Sequence, residues 1–331
     1  MSQEACPQPT LQDIYAARQR IRPLVRPTPL LGCEVLSRVA STEVYLKPEN
    51  LQATGSFKVR GAANRLLTLT EEERARGVVT VSTGNHGRAV AYVAARLGMP
   101  ATVCVSQQVP ANKLAAIRQL GAELLVGGRS QDEAEAQARV LSRERRLTLI
   151  PPFDDPAVIA GQGTIGLELL DELPEVESVL VPLSGGGLIA GIALALKAAN
   201  PLIRVVGLTM QRAPAMQRSL AAGHPVELPE EPTLADSLQG GVGRDNRYTF
   251  QLVRTYVDEV VLLSEDEIAA GMAFAFREAG LVLEGAGAVG IAGLLKGRVG
   301  GLGQRVAVVL SGRNVAPSAF LEVLERQDEV P

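Results

Sequence analysis

Two doubly wound α/β domains with a cleft between them are the fold this sequence predicts, on three observations. Short, nearly continuous apolar runs alternate with amphipathic helical patterns along almost all of the 331 residues. Runs of that kind between helices read as strands of parallel sheets covered on both faces. The alternation falls into two sets, one before and one after the long helical segment PAVIAGQGTIGLELLDEL at 156–173.

In the first set GVVTVST (77–83) leads into a helix at about 86–97, and ATVCVS (101–106) into ANKLAAIRQLG. AELLVG (122–127) then leads into SQDEAEAQARVLSRERR, and TLIP closes the set. Residues 50–152 are therefore expected to form a small α/β domain. In the second set SVLVPL (178–183), RVVGLTM (204–210), DEVVLLS (258–264) and RVAVVLS (305–311) are again strand-like and separated by helices. The opening segment, with PTPLLGCEVLS and EVYLKPEN, precedes the first set and is expected to return to the second. Residues 1–49 and 153–331 would then form the larger domain. Open α/β sheets bind ligands beyond the carboxyl ends of their strands, so the site is expected at the interface of the two domains.

Composition narrows the function. Apolar residues make up 46% and charged residues 21% of the chain, with a net charge of -3. No Lys/Arg block stands out, so nucleic acid is not an expected partner. The longest apolar stretch, around Gly187 to Leu196, is too short to span a bilayer. The first residues, MSQEACPQPTLQD, lack the basic and apolar regions of a secretory signal. Cys6, Cys33 and Cys104 are far apart, with no CxxC pair. A reduced, cytoplasmic chain acting on small molecules is the expectation. His86 and His224 are the only histidines, so no metal site can be assembled by spacing.

Chemistry concentrates at strand-to-helix junctions. In LQATGSFKVRGA (51–62), Ser56 is the expected N-cap of a helix over Phe57–Leu67, which puts Lys58 in its first turn. Unpaired amides there disfavour an ammonium and relatively favour a neutral, nucleophilic amine. In LSGGGLIAG (183–191), Ser184 to Gly187 make a loop without bulky side chains before a helix near Leu188, a geometry that holds phosphate or simply makes a tight turn. STGNHGRAV (82–90) offers Ser82, Thr83 and Asn85 as ligand groups, although Asn85 also suits a cap and His86 a turn. Ser311 ends a strand in VVLSGRNVAP, as a ligand group or a turn residue, and Glu284 in LVLEGAGAVG precedes a helix that it could cap.

Taken in order, GSFKVRGA, the Asn-bearing GNHG loop, SGGGL and the late strand-end serine resemble the fold-type II pyridoxal-phosphate enzymes, specifically the serine/threonine dehydratase and serine racemase group. The similarity runs from about Leu11 to Asn314. ATGSFKVRGA, VSTGNHGRAV, PPFDDPAVIAGQGTIGLELL and VLSGRNV together look like the hydroxyectoine utilization dehydratases. The resemblance implies a tryptophan-synthase-β-like fold and a homodimer. It implies that Lys58 is the covalent attachment point of pyridoxal 5'-phosphate, with Phe57 against the pyridine ring and Asn85 on the ring hydroxyl. Ser184, Gly185, Gly186, Gly187 and Leu188 would hold the phosphate, Ser311 would meet the pyridine nitrogen, and Glu284 would stand beside the cofactor. Ser82 and Thr83 would join Lys58 in the catalytic group, and Ser82, Thr83, Gly84 and His86 would frame the substrate carboxylate.

A hydroxyl rather than a carboxylate at the pyridine nitrogen spreads less charge into the ring and favours loss of a β-leaving group. The expected reaction is α,β-elimination of water from threonine, serine or a hydroxyectoine-derived β-hydroxy amino acid, giving a 2-oxo acid and ammonia. Departures bear on this expectation. Thr83 stands where serine racemases carry a serine base, which argues against racemisation. Met210 and Met216 stand where racemases hold a divalent cation, and thioethers are poor ligands for hard cations. Arg313 replaces a glycine of the usual SGGN run, and Ser237 stands where glycine is common; both are read equally as harmless variation or as altered substrate choice. A C-terminal regulatory domain with isoleucine feedback is not expected.

Overall fold

The computed structural model describes residues 7–82, 84–107, 111–127 and 131–328. The strands are β1 (Leu31–Gly32), β2 (Glu43–Lys47), β3 (Val78–Val81), β4 (Ala101–Val105), β5 (Glu123–Val126), β6 (Thr148–Leu149), β7 (Ser178–Pro182), β8 (Arg204–Met210), β9 (Glu259–Leu263) and β10 (Arg305–Val309). They form a six-stranded sheet in the order β1-β2-β10-β7-β8-β9 and a four-stranded sheet in the order β5-β4-β3-β6. All pairs are parallel except β1 with β2. The opening segment does return: β2 runs beside β10, with Val44 opposite Val306 and Leu46 opposite Val308.

Burial on both faces explains the unbroken apolar runs. Every residue of β3, β4 and β7 is buried. Successive strand residues point to opposite faces. Val179 and Val181 of β7 accordingly pack with Ala307 and Val309 of β10 in one core, while Leu180 packs with Val306 and Val308 in another. Among the described residues no helix is long and apolar enough to cross a membrane.

The helix Pro156–Glu172 is the element that sets the two halves of the site. Asp155 caps it through bonds to the Ala157 and Val158 amides, and Pro156 occupies its first position. Its glycines let two other helices approach closely. A Cβ on Gly161 would lie 2.6 Å from the Arg60 carbonyl oxygen, and one on Gly163 would lie 2.8 Å from that of Gly191. The helices Lys58–Leu67 and Gly187–Ala199, which begin at the first-turn lysine and at the glycine turn, therefore rest on a common support.

A buried charge cluster locks the first of these contacts. Arg60, 1% exposed, pairs with Glu49 at 2.7 Å and with Glu168 at 2.5 Å, while Lys47 pairs with Glu168 at 2.9 Å and Glu172 at 2.6 Å. Burial works against the Arg60 charge, but the two carboxylates outweigh it and raise its pKa.

The start of helix Lys58–Leu67 corrects one expectation. Its cap position is Phe57, not Ser56, and no side chain caps it. Ser56 is held in an antiparallel bridge with Gly312, and Phe57 N–H donates to the Ser311 carbonyl at 3.0 Å. A tertiary pairing between two loops fixes the turn that sequence assigned to a serine cap.

Candidate active site

Ser82, Asn85 and His86 follow the carboxyl end of β3, the glycine turn that of β7 and Ser311 that of β10, while Lys58 opens the helix Lys58–Leu67 and Glu284 precedes the helix Gly285–Leu295. Lys58 is the first residue of its helix, and its Nζ donates to the Pro152 carbonyl at 2.7 Å. The amine lies 5.2 Å from the Phe57 ring centroid. Burial lowers it to about 8, and the nearby Glu284 carboxylate pulls the other way. The charged form is thus held less firmly than in solvent, and the cause is burial.

Pro152 also connects the lysine to the glycine turn. The next residue, Phe153, lays its ring 2.6 Å from where a Cβ on Gly185 would be, and its Cβ sits 2.9 Å from that of Gly187. Gly186 has φ +92°, a conformation that glycine adopts without strain. Residues 185–189 are buried, and the first N–H groups of helix Gly187–Ala199 lie ahead of any intrahelical acceptor. Buried amides at a helix N-terminus without an internal acceptor are a fit for a phosphate. A phosphorylated ligand carrying an amine-reactive carbonyl matches these amides together with Lys58.

Asn85 begins the helix Asn85–Arg96 and is 7% exposed. Its Nδ2 donates to Glu284 Oε1 at 2.7 Å and lies 3.4 Å from Ser237 Oγ. Glu284 occupies the cap position of its helix but makes no capping bond; its carboxylate turns to Asn85 instead. Glu284 Oε2 is buried without a partner. Burial raises this carboxyl to about 7 and Asp236 adds to the shift, while Asn85 and the nearby Ser237 hydroxyl and Asn314 backbone amide pull it down.

His86 is 3% exposed and bonds the Ile150 carbonyl through Nε2 at 3.1 Å. Burial, with the Lys58 charge, lowers it to about 3, so the ring is neutral and Nε2 carries the proton. Ser82 Oγ accepts from the Gly84 amide at 3.2 Å. Thr83 lies outside the described residues. Ser311, 3% exposed, has its Oγ 3.3 Å from the Ala286 carbonyl. Arg313 is exposed, its N–H donating to the Gly55 carbonyl at 2.9 Å. Met216, buried, sets its methyl 3.0 Å from a Cβ position on Gly186.

The chain therefore gathers Lys58, Asn85, Glu284, Ser311 and the glycine turn from five distant segments. Pro152, Phe153, Arg88 and Asn314 stand among them although no sequence pattern singles them out. PPF and GRN lie inside the motifs quoted above, but their contacts are tertiary.

Several known proteins are similar to this chain over most of its length. The L-threonine ammonia-lyase of Thermotoga maritima is 45% identical over 306 residues, covering 92% of this chain and 76% of that protein. The processed form of threonine deaminase isoform 2 from Solanum lycopersicum is 36% identical with a TM-score of 0.89, covering 95% of this chain and 91% of the other. Maize serine racemase is 32% identical with a TM-score of 0.91, covering 98% of this chain and 99% of the other. The pattern of the family described as "Pyridoxal-phosphate dependent enzyme" matches residues 21–312, and with the lysine, the glycine turn and the two sheets in place, this chain belongs to that family of fold-type II enzymes.

Proposed function

We propose that the chain is a lyase that removes water from a β-hydroxy amino acid, releasing a 2-oxo acid and ammonia. Its candidate substrates are threonine, serine and a hydroxyectoine-derived compound. The observation that carries the reading is the Lys58 amine, lowered to about 8 and joined through Pro152 and Phe153 to the glycine turn. Pyridoxal phosphate, when bound, supplies the electron sink that lets an amino acid give up its Cα proton.

The chain's own groups do the rest. The amides from Gly185 to Leu188, with Ser184, would hold the phosphate at the start of helix Gly187–Ala199. Phe57 would support the ring, Asn85 would hold the ring hydroxyl and Ser311 would meet the ring nitrogen. Lys58 Nζ would be the covalent anchor for the cofactor and, when released, would be placed to take the Cα proton. Ser82, Thr83, Gly84 and His86 frame the substrate carboxylate. The two sheets support assignment of 50–152 as the small lobe, and of 1–49 with 153–331 as the large one. A cytoplasmic homodimer completes the reading.

The test is 2-oxo acid formation by purified holoenzyme from threonine, serine and ring-opened hydroxyectoine. Lys58→Ala should lower the rate by about 10²-fold or more. Full activity in that variant would overturn the assignment. The likeness to maize serine racemase supports a second reading, racemisation. Incubation in deuterated buffer separates them: inverted, deuterated amino acid marks a racemase, and oxo acid a lyase.

A further inference from the structure

Arg88, Asn314, Asn85 and Glu284 form a hydrogen-bonded series whose direction is fixed from both ends. Arg88 Nη1 donates to Asn314 Oδ1 at 2.7 Å. Asn314 Nδ2 donates to the Thr54 carbonyl at 2.9 Å and to Asn85 Oδ1. Asn85 Nδ2 then donates to Glu284 Oε1 at 2.7 Å. A guanidinium only donates and a backbone carbonyl only accepts, so together they leave the Asn314 amide a single orientation. That orientation in turn presents a donor to Asn85 Oδ1 and leaves its nitrogen for the carboxylate. A turned Asn85 would set two acceptors against each other at Glu284.

The surroundings are built for this arrangement. A Cβ on Gly55 would lie 2.6 Å from Asn314 Oδ1, and Gly55 has φ +76°, so only glycine leaves room for that amide. Arg88 is half-buried and stands on the same helix as Asn85, one turn on, where i and i+3 side chains are neighbours.

We propose that Arg88 and Asn314 are positioning residues that lock the Asn85 amide with its nitrogen toward Glu284, an assignment that rests on the active-site reading above. The lock keeps Asn85 ready to face the cofactor ring in one orientation and keeps its N–H donor on the neighbouring carboxylate. Among the described residues, the charged and titratable groups facing Glu284 include Lys58 on its helix, Arg88 on the Asn85 helix and Asp236 in the turn beside Ser237.

The experiment reads Glu284 ionisation in holoenzyme by infrared spectroscopy with ¹³C-labelled glutamate, its band assigned by loss in Glu284→Gln. Arg88→Met and Asn314→Ala should each move the titration upward by about one pH unit, because Asn85 is then free to turn its oxygen to the carboxylate. Arg88→Gln, uncharged like methionine but still a donor, should remain near the wild type. Equal shifts in Arg88→Met and Arg88→Gln, with none in Asn314→Ala, would reduce the effect to charge and overturn the proposal. No shift in any variant would overturn it too. kcat should fall about tenfold in Arg88→Met and recover in Arg88→Gln. The infrared pattern needs no turnover: if it holds while no oxo acid forms from any substrate, the lyase reading fails and the lock stands.

Discussion

The Phe153 ring occupies the space that a side chain on Gly185 would need, with ring carbons 2.6 Å from the Cβ position. Phe153 follows the Pro152 carbonyl that holds Lys58, so this contact joins the amine to the proposed phosphate turn. Gly185→Ala should push Phe153 and Pro152 aside and misplace both. The expected result is a folded protein whose affinity for pyridoxal phosphate falls at least tenfold, measured by fluorescence titration of cofactor-free protein. Wild-type affinity in the alanine variant would show that the turn and the lysine are not coupled through Phe153.

The pH dependence of turnover follows from Lys58. An ammonium accepts no proton, so the rate should rise with pH through about 8, where burial sets the amine. The Glu284 carboxylate raises that value, so Glu284→Gln should move the rising limb to lower pH. Initial rates across pH 6 to 10 measure both. A limb that stays in place in the glutamine variant would mean that the two groups do not interact.

Glu284 also ties stability to pH. Its carboxyl is raised from 4.5 to about 7 by burial, so between those values the folded chain binds more protons than the unfolded one. Its contribution is full below pH 4.5 and is lost as pH rises to 7, to the extent of roughly 3 kcal/mol. Glu284→Gln should remove that slope. His86, lowered to about 3, contributes the opposite slope below pH 6.5, but equally in both proteins. Urea unfolding of the pair at pH 5 and pH 7.5 gives the difference, and parallel pH profiles would rule the effect out.

Much of this architecture is legible from the chain because β7 and β10 are buried on both faces and so carry unbroken apolar runs. Lys58 is legible for a local reason as well: a helix start shows in the pattern that follows it. A Ser56 cap is the wrong reading because the turn is closed by Gly312, a partner that no local pattern announces. Asn314 and Arg88 escape notice for the same reason. An arginine in a helix reads as a solvated face until the fold brings an amide oxygen against it.

Arg60 carries that lesson into a stability prediction. It lies two residues after Lys58 and would be taken for a surface charge, yet it is 1% exposed and forms paired bonds to Glu49 and Glu168. Arg60→Met would take the guanidinium from both buried carboxylates, leaving Lys47 on Glu168 and only the uncharged donors Thr28 and Gln52 on Glu49, and removing one partner of a buried pair costs about 3–5 kcal/mol. Arg60→Lys keeps the charge but loses the fork that reaches two acceptors at once, so it should recover only part of that loss. Denaturant unfolding measures both. The Lys58 amine should respond as well, because Arg60 anchors the helix that starts with it. Cofactor affinity should therefore fall in parallel with stability across the methionine and lysine variants, and a methionine variant as stable as the wild type would show that the cluster does not hold the helix.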